Sequence, residues 1–241
     1  MGDEEPLSAR AGGSRRLPGP GRYAPLLQGC NHGVSPTVTP GGQAASQHQE
    51  RAALTSLRQK VIEIVREHGL MRLPEPVVLA SGELSRDFID GKAALARGED
   101  LKLACEALVE SLGDIDFDAI GGLTMGADQF AHVVAVLANR EWFVVRKEPK
   151  GRGTNKLVEG ARVGKGTRVL LVDDVVTTGG SIQKAYDAIG ALGATVVAAV
   201  TLVDRGEVAA RFFEEKGIPY FPLVTYVDLG IEPVGGGLVR A

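Results

Sequence analysis

Two uninterrupted apolar runs, Val169-Leu170-Leu171-Val172 and Val196-Val197-Ala198-Ala199-Val200, constrain this chain more than any other feature. A strand with one wetted face alternates apolar and polar residues, so strands that are apolar throughout must be covered on both sides. Helical patterns stand between and beyond the runs. Ile182, Ala185, Tyr186, Ile189 and Leu192 recur at helical spacing after the first run, and Glu207 to Lys216 follows the second. Upstream, Asp118 to Gly122 leads into a helix from about Ala127 to Ala138 and a strand from Trp142 to Arg146; a last strand lies near Pro219 to Val224. Strands and helices in alternation predict an α/β fold, doubly wound, with a mostly parallel sheet and helices on both faces. Ligands of such sheets bind beyond the carboxyl ends of the strands.

The N-terminal part reads differently. Residues 1–50 hold nine of the 32 Gly and six of the 12 Pro and few large apolar side chains, too little to offset the entropy of ordering. A disordered leader over 1–48 is expected, followed by one domain over 49–241. Leu54, Leu57, Val61, Ile64 and Val65 predict a helix that Gly69 ends in the left-handed conformation. Short β pieces at Val77 to Ala80 and Asp87 to Asp90 follow. Leu101, Ala104, Cys105, Leu108 and Leu112 then mark a second helix, ended by Gly113.

Composition narrows the function mainly by exclusion. A formal net charge of -3 supplies no field for nucleic acid or an anionic membrane. Two cysteines, Cys30 and Cys105, without a CxxC, suggest neither a disulfide framework nor a zinc site. No apolar run approaches the roughly 20 residues of a membrane span, and the N-terminus lacks the order of a signal peptide. A cytoplasmic protein is expected.

The chemistry is concentrated where the strand Val169 to Val172 runs into Asp173-Asp174-Val175-Val176-Thr177-Thr178-Gly179-Gly180-Ser181. Small and hydroxyl residues opening a helix let backbone N–H groups close on a phosphate, which the helix dipole also favours. Two acids just before that cradle would repel the phosphate, so they must face vicinal hydroxyls or a metal. A sugar phosphate satisfies both halves. Two other glycine-rich stretches are turns: Gly160 to Thr167 is one residue short of P-loop spacing and precedes a strand, and Gly151-Arg152-Gly153 lacks a third glycine and a following helix.

Val169 to Ser181 resembles the thirteen-residue phosphoribosyl pyrophosphate (PRPP) signature of type I phosphoribosyltransferases. Arg146-Lys147-Glu148-Pro149-Lys150-Gly151-Arg152-Gly153 is similar to the orotate phosphoribosyltransferase stretch Arg-Lys-Glu-x-Lys-x-His-Gly. Eight Lys or Arg against two Glu lie between Arg146 and Arg168, as a cationic flap over departing pyrophosphate requires. The resemblance extends from about Val78 to Ile231. It includes Ser81-Gly82 through Phe88-Ile89-Asp90, the stretch Gly121 to Asp128, and Asp204-Arg205.

The resemblance implies a small N-terminal hood over about 49–92, a core over about 99–232, and conversion of orotate and PRPP to orotidine 5′-monophosphate and pyrophosphate. It implies that Arg146, Lys147, Lys150 and Arg152 bind the diphosphate, with Lys150 and Arg152, together with Asp174, as the catalytic groups. Asp173 and Asp174 would take the ribose hydroxyls, directly or through Mg²⁺; Thr177 to Ser181 the 5′-phosphate, with Val175 and Val176 also among the PRPP-binding residues; and Phe88, Thr177 and Arg205 the base. A homodimer sharing the 147–161 loop between subunits is also implied. Three departures stand out: Arg152 replaces the family's His, and Leu84 and Gly126 stand where many or some members carry Lys. The last two keep open a purine-type base. A PRPP-sensing regulator without catalysis is the alternative from another class.

Overall fold

The computed structural model describes residues 56–79, 82–149 and 156–234. The expected leader, Ala80-Ser81, and the segment carrying Lys150, Gly151, Arg152 and Gly153 lie outside the described residues.

A helix over 56–64 (α1) widens into a π turn at Val65–Gly69 and passes directly into a hairpin, β1 (Leu70–Val78) with β2 (Leu84–Ile89). Gly69 ends the π turn but is not left-handed as expected, and Leu70 after it is already extended, with φ -85° and ψ 120°. Gly69 is required for another reason. A Cβ there would lie 2.8 Å from the Ala94 Cβ, on the short helix α2 (Gly91–Ala94). The hairpin strands are longer than the two short pieces that the prolines suggested, because Pro74 and Pro76 fall in the irregular stretch between Arg72 and Val77, where no ladder N–H is needed.

Then come α3 (Gly98–Ser111), β3 (Ala119–Leu123), α4 (Asp128–Ala138), β4 (Glu141–Val145), β5 (Val158–Gly160), β6 (Arg168–Val176), α5 (Gly180–Ala191), β7 (Thr195–Asp204), α6 (Val208–Glu214), β8 (Tyr220–Thr225) and α7 (Tyr226–Leu229). Gly113 does close α3, at φ 55°. The main sheet has the order β5-β4-β3-β6-β7-β8, parallel except for β5. From β3 the chain first winds toward β4 and β5, then returns to the other side for β6, β7 and β8. The reversal falls between β3 and β6, where an open α/β sheet leaves its crevice.

Apolar residues pack on both faces, as the uninterrupted runs require. Leu170, Val172, Ala198, Val200 and Leu202 point into one cluster with Ala104, Cys105 and Leu108 of α3 and Phe130 and Val134 of α4. Val169, Leu171 and Ala199 join Ile182, Ala185 and Ile189 of α5 and Phe213 of α6 in the other. Leu192, placed on the same helix by its spacing, stands at the C-cap of α5 and is half exposed. The N-terminal helix is no detached lid, since Val61, Ile62 and Val65 belong to the first cluster with Leu112 and Leu229. Arg58 fastens it further, 2.5 Å from the Asp228 carboxylate that also closes the capping box of α7.

At the opposite end from the crevice, one charged clamp ties three strand starts together. Arg168 Nη2 donates to Asp118 Oδ1 at 2.6 Å and to Asp116 Oδ2 at 2.9 Å, and Arg140 Nη2 donates to Asp116 Oδ1 at 2.9 Å. Hydrogen bonds from Arg168 hold Asp118 below the usual carboxylate range, and those from Arg140 first and Arg168 second do the same for Asp116. A carboxylate with a lowered folded pKa stabilises above its ordinary pKa and loses that contribution as pH falls through the lowered value. Arg168→Ala is expected to cost about 1 kcal/mol because the clamp is partly solvated, a shift of about 2–4 °C in melting temperature. Thermal melts at neutral pH should show this, with the difference from the parent shrinking in acid.

Candidate active site

The acid pair lies inside β6. The strand was expected to end at Val172, but it continues to Val176 because β7 pairs alongside it, with Asp173 opposite Thr201, Val175 opposite Val203 and Val176 opposite Asp204. On the other side β3 pairs with β6 only as far as Leu171. Beyond that point a crevice opens, and the turn Thr124-Met125-Gly126-Ala127 folds back into it. Thr124 N donates to the Val145 carbonyl at 2.8 Å, and Thr124 Oγ1 donates to Asp128 Oδ2 at 2.7 Å. Two glycines allow the close approach. A Cβ on Gly122 would lie 2.1 Å from the Val172 carbonyl oxygen, and one on Gly126 would lie 2.5 Å from Asp173 Oδ1 and 2.6 Å from Asp174 Oδ1.

The two acids have different environments. Asp173 is 4% exposed. Its Oδ1 accepts from Asp174 N at 3.0 Å, and its buried Oδ2 has no partner among the described residues. Burial first, and then the neighbouring Asp174 charge, push the Asp173 carboxyl up to about 7. Asp174 Oδ1 accepts from Val175 N at 2.8 Å, and its Oδ2 lies 2.7 Å from Lys92 Nζ. That bond raises the Lys92 pKa above its ordinary value.

Directly beyond β6, residues 177–179 bend and Gly179, at φ 75°, opens α5. Only a residue tolerant of positive φ fits this N-cap, and a Cβ would also press on the Gln183 amide at 3.0 Å. Among the described residues no side chain caps the helix, which leaves its first N–H groups at Gly180 and Ser181 for a ligand. Thr178, Gly180 and Ser181 are exposed and Thr177 half-buried at this mouth.

Arg205 directly follows β7 and is 1% exposed. Its backbone N donates to the Val176 carbonyl at 2.9 Å, and the preceding Asp204 accepts from Gly206 N at 3.0 Å and from the Tyr220 hydroxyl at 2.9 Å. The turn that aims Arg205 is thus fixed by a buried polar chain that continues to Thr201, 2.9 Å from Tyr220. Arg205 Nη1 donates to the Asp87 carbonyl on β2 at 2.8 Å, next to Phe88. Its buried Nε and Nη2 have no partner among the described residues. Arg146, at the end of β4, contacts Glu159 at 3.3 Å, and Lys147 beside it is exposed.

Asp173, Asp174, the α5 cradle, the 124–127 turn and Arg146 thus stand at the carboxyl ends of β6, β3 and β4, with Arg205 and Phe88 at the hairpin side. Lys150 and Arg152 lie outside the described residues. Lys92 was missed, because a four-residue helix carries no periodicity; its one local signal is Asp90, whose Oδ1 caps that helix by accepting from Lys92 N and Ala93 N at 3.0 Å each. Leu84, where a family lysine was missed, is 69% exposed near the hairpin tip.

A strand-borne acid pair leading into an uncapped helix N-terminus at the switch point defines a type I phosphoribosyltransferase. Residues 95–211 match the phosphoribosyl transferase domain family. Orotate phosphoribosyltransferase of Aquifex aeolicus is 37% identical over 178 residues, 71% of this chain and 97% of that protein. The Streptomyces coelicolor enzyme of the same name is 35% identical over 185 residues, covering 74% and 100%. A crystal structure of Mycobacterium tuberculosis orotate phosphoribosyltransferase in complex with PRPP superposes with a TM-score of 0.60 at 34% identity, over 73% of this chain and 99% of that one. The chain belongs to the orotate phosphoribosyltransferase family.

Proposed function

We infer that this protein is an orotate phosphoribosyltransferase, joining orotate to PRPP to give orotidine 5′-monophosphate and pyrophosphate in pyrimidine biosynthesis. The observation that carries this reading is the acid pair of β6 standing one turn before the free N-terminus of α5, across the crevice from the 124–127 turn. A ring nitrogen of orotate bonds to the anomeric carbon as the carbon–oxygen bond to pyrophosphate breaks; the electron pair of that bond leaves with pyrophosphate, and the proton that the nitrogen carried is released to solvent or to pyrophosphate. Catalysis is positioning and electrostatics, with no nucleophile from the protein. Asp173 and Asp174 accept from the ribose hydroxyls, and Thr177 to Ser181 donate to the 5′-phosphate. Arg205, with two buried donors that have no partner among the described residues, takes the base carboxylate, and Phe88 packs on the ring. Arg146 and Lys147 face the diphosphate, joined by Lys150 and Arg152 as the resemblance implies.

The unpartnered Asp173 Oδ2 and the acid pair fit Mg²⁺. Among the described residues no cluster of three or more His, Cys, Asp or Glu forms a cage, so the donor's oxygens would complete the coordination. Bound there, Mg²⁺ would neutralise charge on the donor. A cytoplasmic homodimer sharing the 147–161 loop belongs to the same reading; among the described residues no helix is long and apolar enough to cross a membrane.

A coupled assay with orotate and PRPP, with and without Mg²⁺, tests the reaction: turnover that requires both substrates and is lost with chelator is expected. Turnover of a purine in place of orotate would overturn the choice of base. Donor affinity should also depend on pH. A carboxyl whose folded pKa is raised contributes its stability below the unfolded value and loses it as pH rises through about 7; ribose hydroxyls prefer the ionised form. Calorimetry should therefore find PRPP binding tightening from pH 5.5 to about 7, by up to about tenfold per unit, and levelling above.

A further inference from the structure

Lys92 is unused by the reaction as derived so far, yet it is the cation closest to the acid pair among the contacts described, with Nζ 2.7 Å from Asp174 Oδ2. Its position is built into the fold. Asp90 caps the four-residue helix that carries it, and Asp90 N donates in turn to the Gly69 carbonyl at 2.9 Å. Gly69 leaves no room for a Cβ against Ala94. Gly91 packs its bare α-carbon on Asp174, where a Cβ would lie 3.0 Å from the Asp174 Cβ. The backbone under Lys92 is thus held between α1 and β6, so that the ammonium is delivered to the acid pair by packing on both sides.

Its side chain remains 49% exposed, against 12% for Asp174. One of the three ammonium N–H groups is engaged by Asp174. The 124–127 turn supplies no cation here, because Gly126 meets both acids with its backbone. Arg146 is engaged by Glu159. A donor carrying a diphosphate must approach two acids, and like charges at such range repel strongly in a partly desolvated site. A cation fixed beside the acids reverses that repulsion for the diphosphate.

We propose that Lys92 is a donor-binding residue, whose ammonium offsets Asp174 and turns its remaining N–H groups to the diphosphate oxygens of the incoming PRPP. The inference rests on the phosphoribosyl-donor reading of the site and adds a residue to it. With Arg146 and Lys147 beyond β4, Lys92 on α2 would offer the diphosphate cations from two different parts of the chain.

Calorimetry of the full chain with Mg²⁺ and three probes tests it: PRPP, pyrophosphate and ribose 5-phosphate. Lys92→Met keeps the apolar stem and is expected to weaken PRPP and pyrophosphate at least tenfold, about one charge-assisted hydrogen bond, while ribose 5-phosphate changes less than threefold. Lys92→Arg should recover most of the lost affinity, and thermal melts of both variants should stay close to the parent. Unchanged PRPP affinity in Lys92→Met would overturn the proposal, as would equal weakening of ribose 5-phosphate, which would confine Lys92 to holding Asp174 in place. A parent protein that ignores PRPP altogether would instead overturn the donor reading itself, and the two failures are distinguished by which protein shows them.

Discussion

Asp174→Asn is expected to lower kcat at least a hundredfold with the fold intact. Asn has the same shape and still accepts from Val175 N, the 2.8 Å bond that orients the side chain in β6. Neighbours that fit closely are undisturbed, including Gly91 and Gly126, whose α-carbons pack against this residue. What disappears is the negative charge, and with it the ion pair to Lys92 at 2.7 Å. The charge matters where the anomeric carbon becomes positive, and in a site emptied of water a fixed carboxylate acts at low dielectric with no reorganisation. A hundredfold loss corresponds to about 2.7 kcal/mol of transition-state stabilisation, within the range one such group supplies. The measurement is kcat at saturating orotate and PRPP, with circular dichroism melts alongside. Turnover within tenfold of the parent, on a folded protein, would remove Asp174 from the catalytic role and leave it as a structural ligand of Lys92.

How much of this was legible in the sequence depends on the range of the interaction. Val169 to Val172 and Val196 to Val200 announce their burial by composition alone, and of these only Val197 is partly exposed, while the cradle from Thr177 to Ser181 is local chemistry. Contacts between distant segments leave no such trace. The strand extension to Val176 depends on β7 running alongside, and Gly69 ends its helix without turning left-handed because its constraint is Ala94, 25 residues later. Leu192 shares the helical spacing of Ile189 yet sits past the last turn of α5, at its C-cap, and is half exposed. Arg205 reads as a surface cation from its type. Only the fold shows it beneath β2, held by Asp87 and by a turn that the Thr201, Tyr220 and Asp204 side chains assemble from two strands.

Arg205→Met should raise the KM for orotate at least a hundredfold while PRPP affinity stays within about threefold. Burial first lowers the pKa of this guanidinium, and the Asp87 and Glu83 charges only partly oppose that. Keeping an arginine buried with Nε and Nη2 unpartnered among the described residues is costly unless a ligand completes its bonding. A carboxylate is the matching shape, because two parallel N–H groups of the fork meet its two oxygens. Loss of two charge-assisted bonds at about 1.5 kcal/mol each gives about 3 kcal/mol, or roughly a hundredfold in binding. Methionine refills much of the space, yet the 2.8 Å tether from Nη1 to the Asp87 carbonyl is also lost. Arg205→Lys separates the two effects: it keeps a charge but not the fork, so a tether alone would be largely restored and bidentate recognition would not. If both variants bound orotate within threefold of the parent, Arg205 would be a brace between β7 and the hairpin, and the base carboxylate would have to be held by another group.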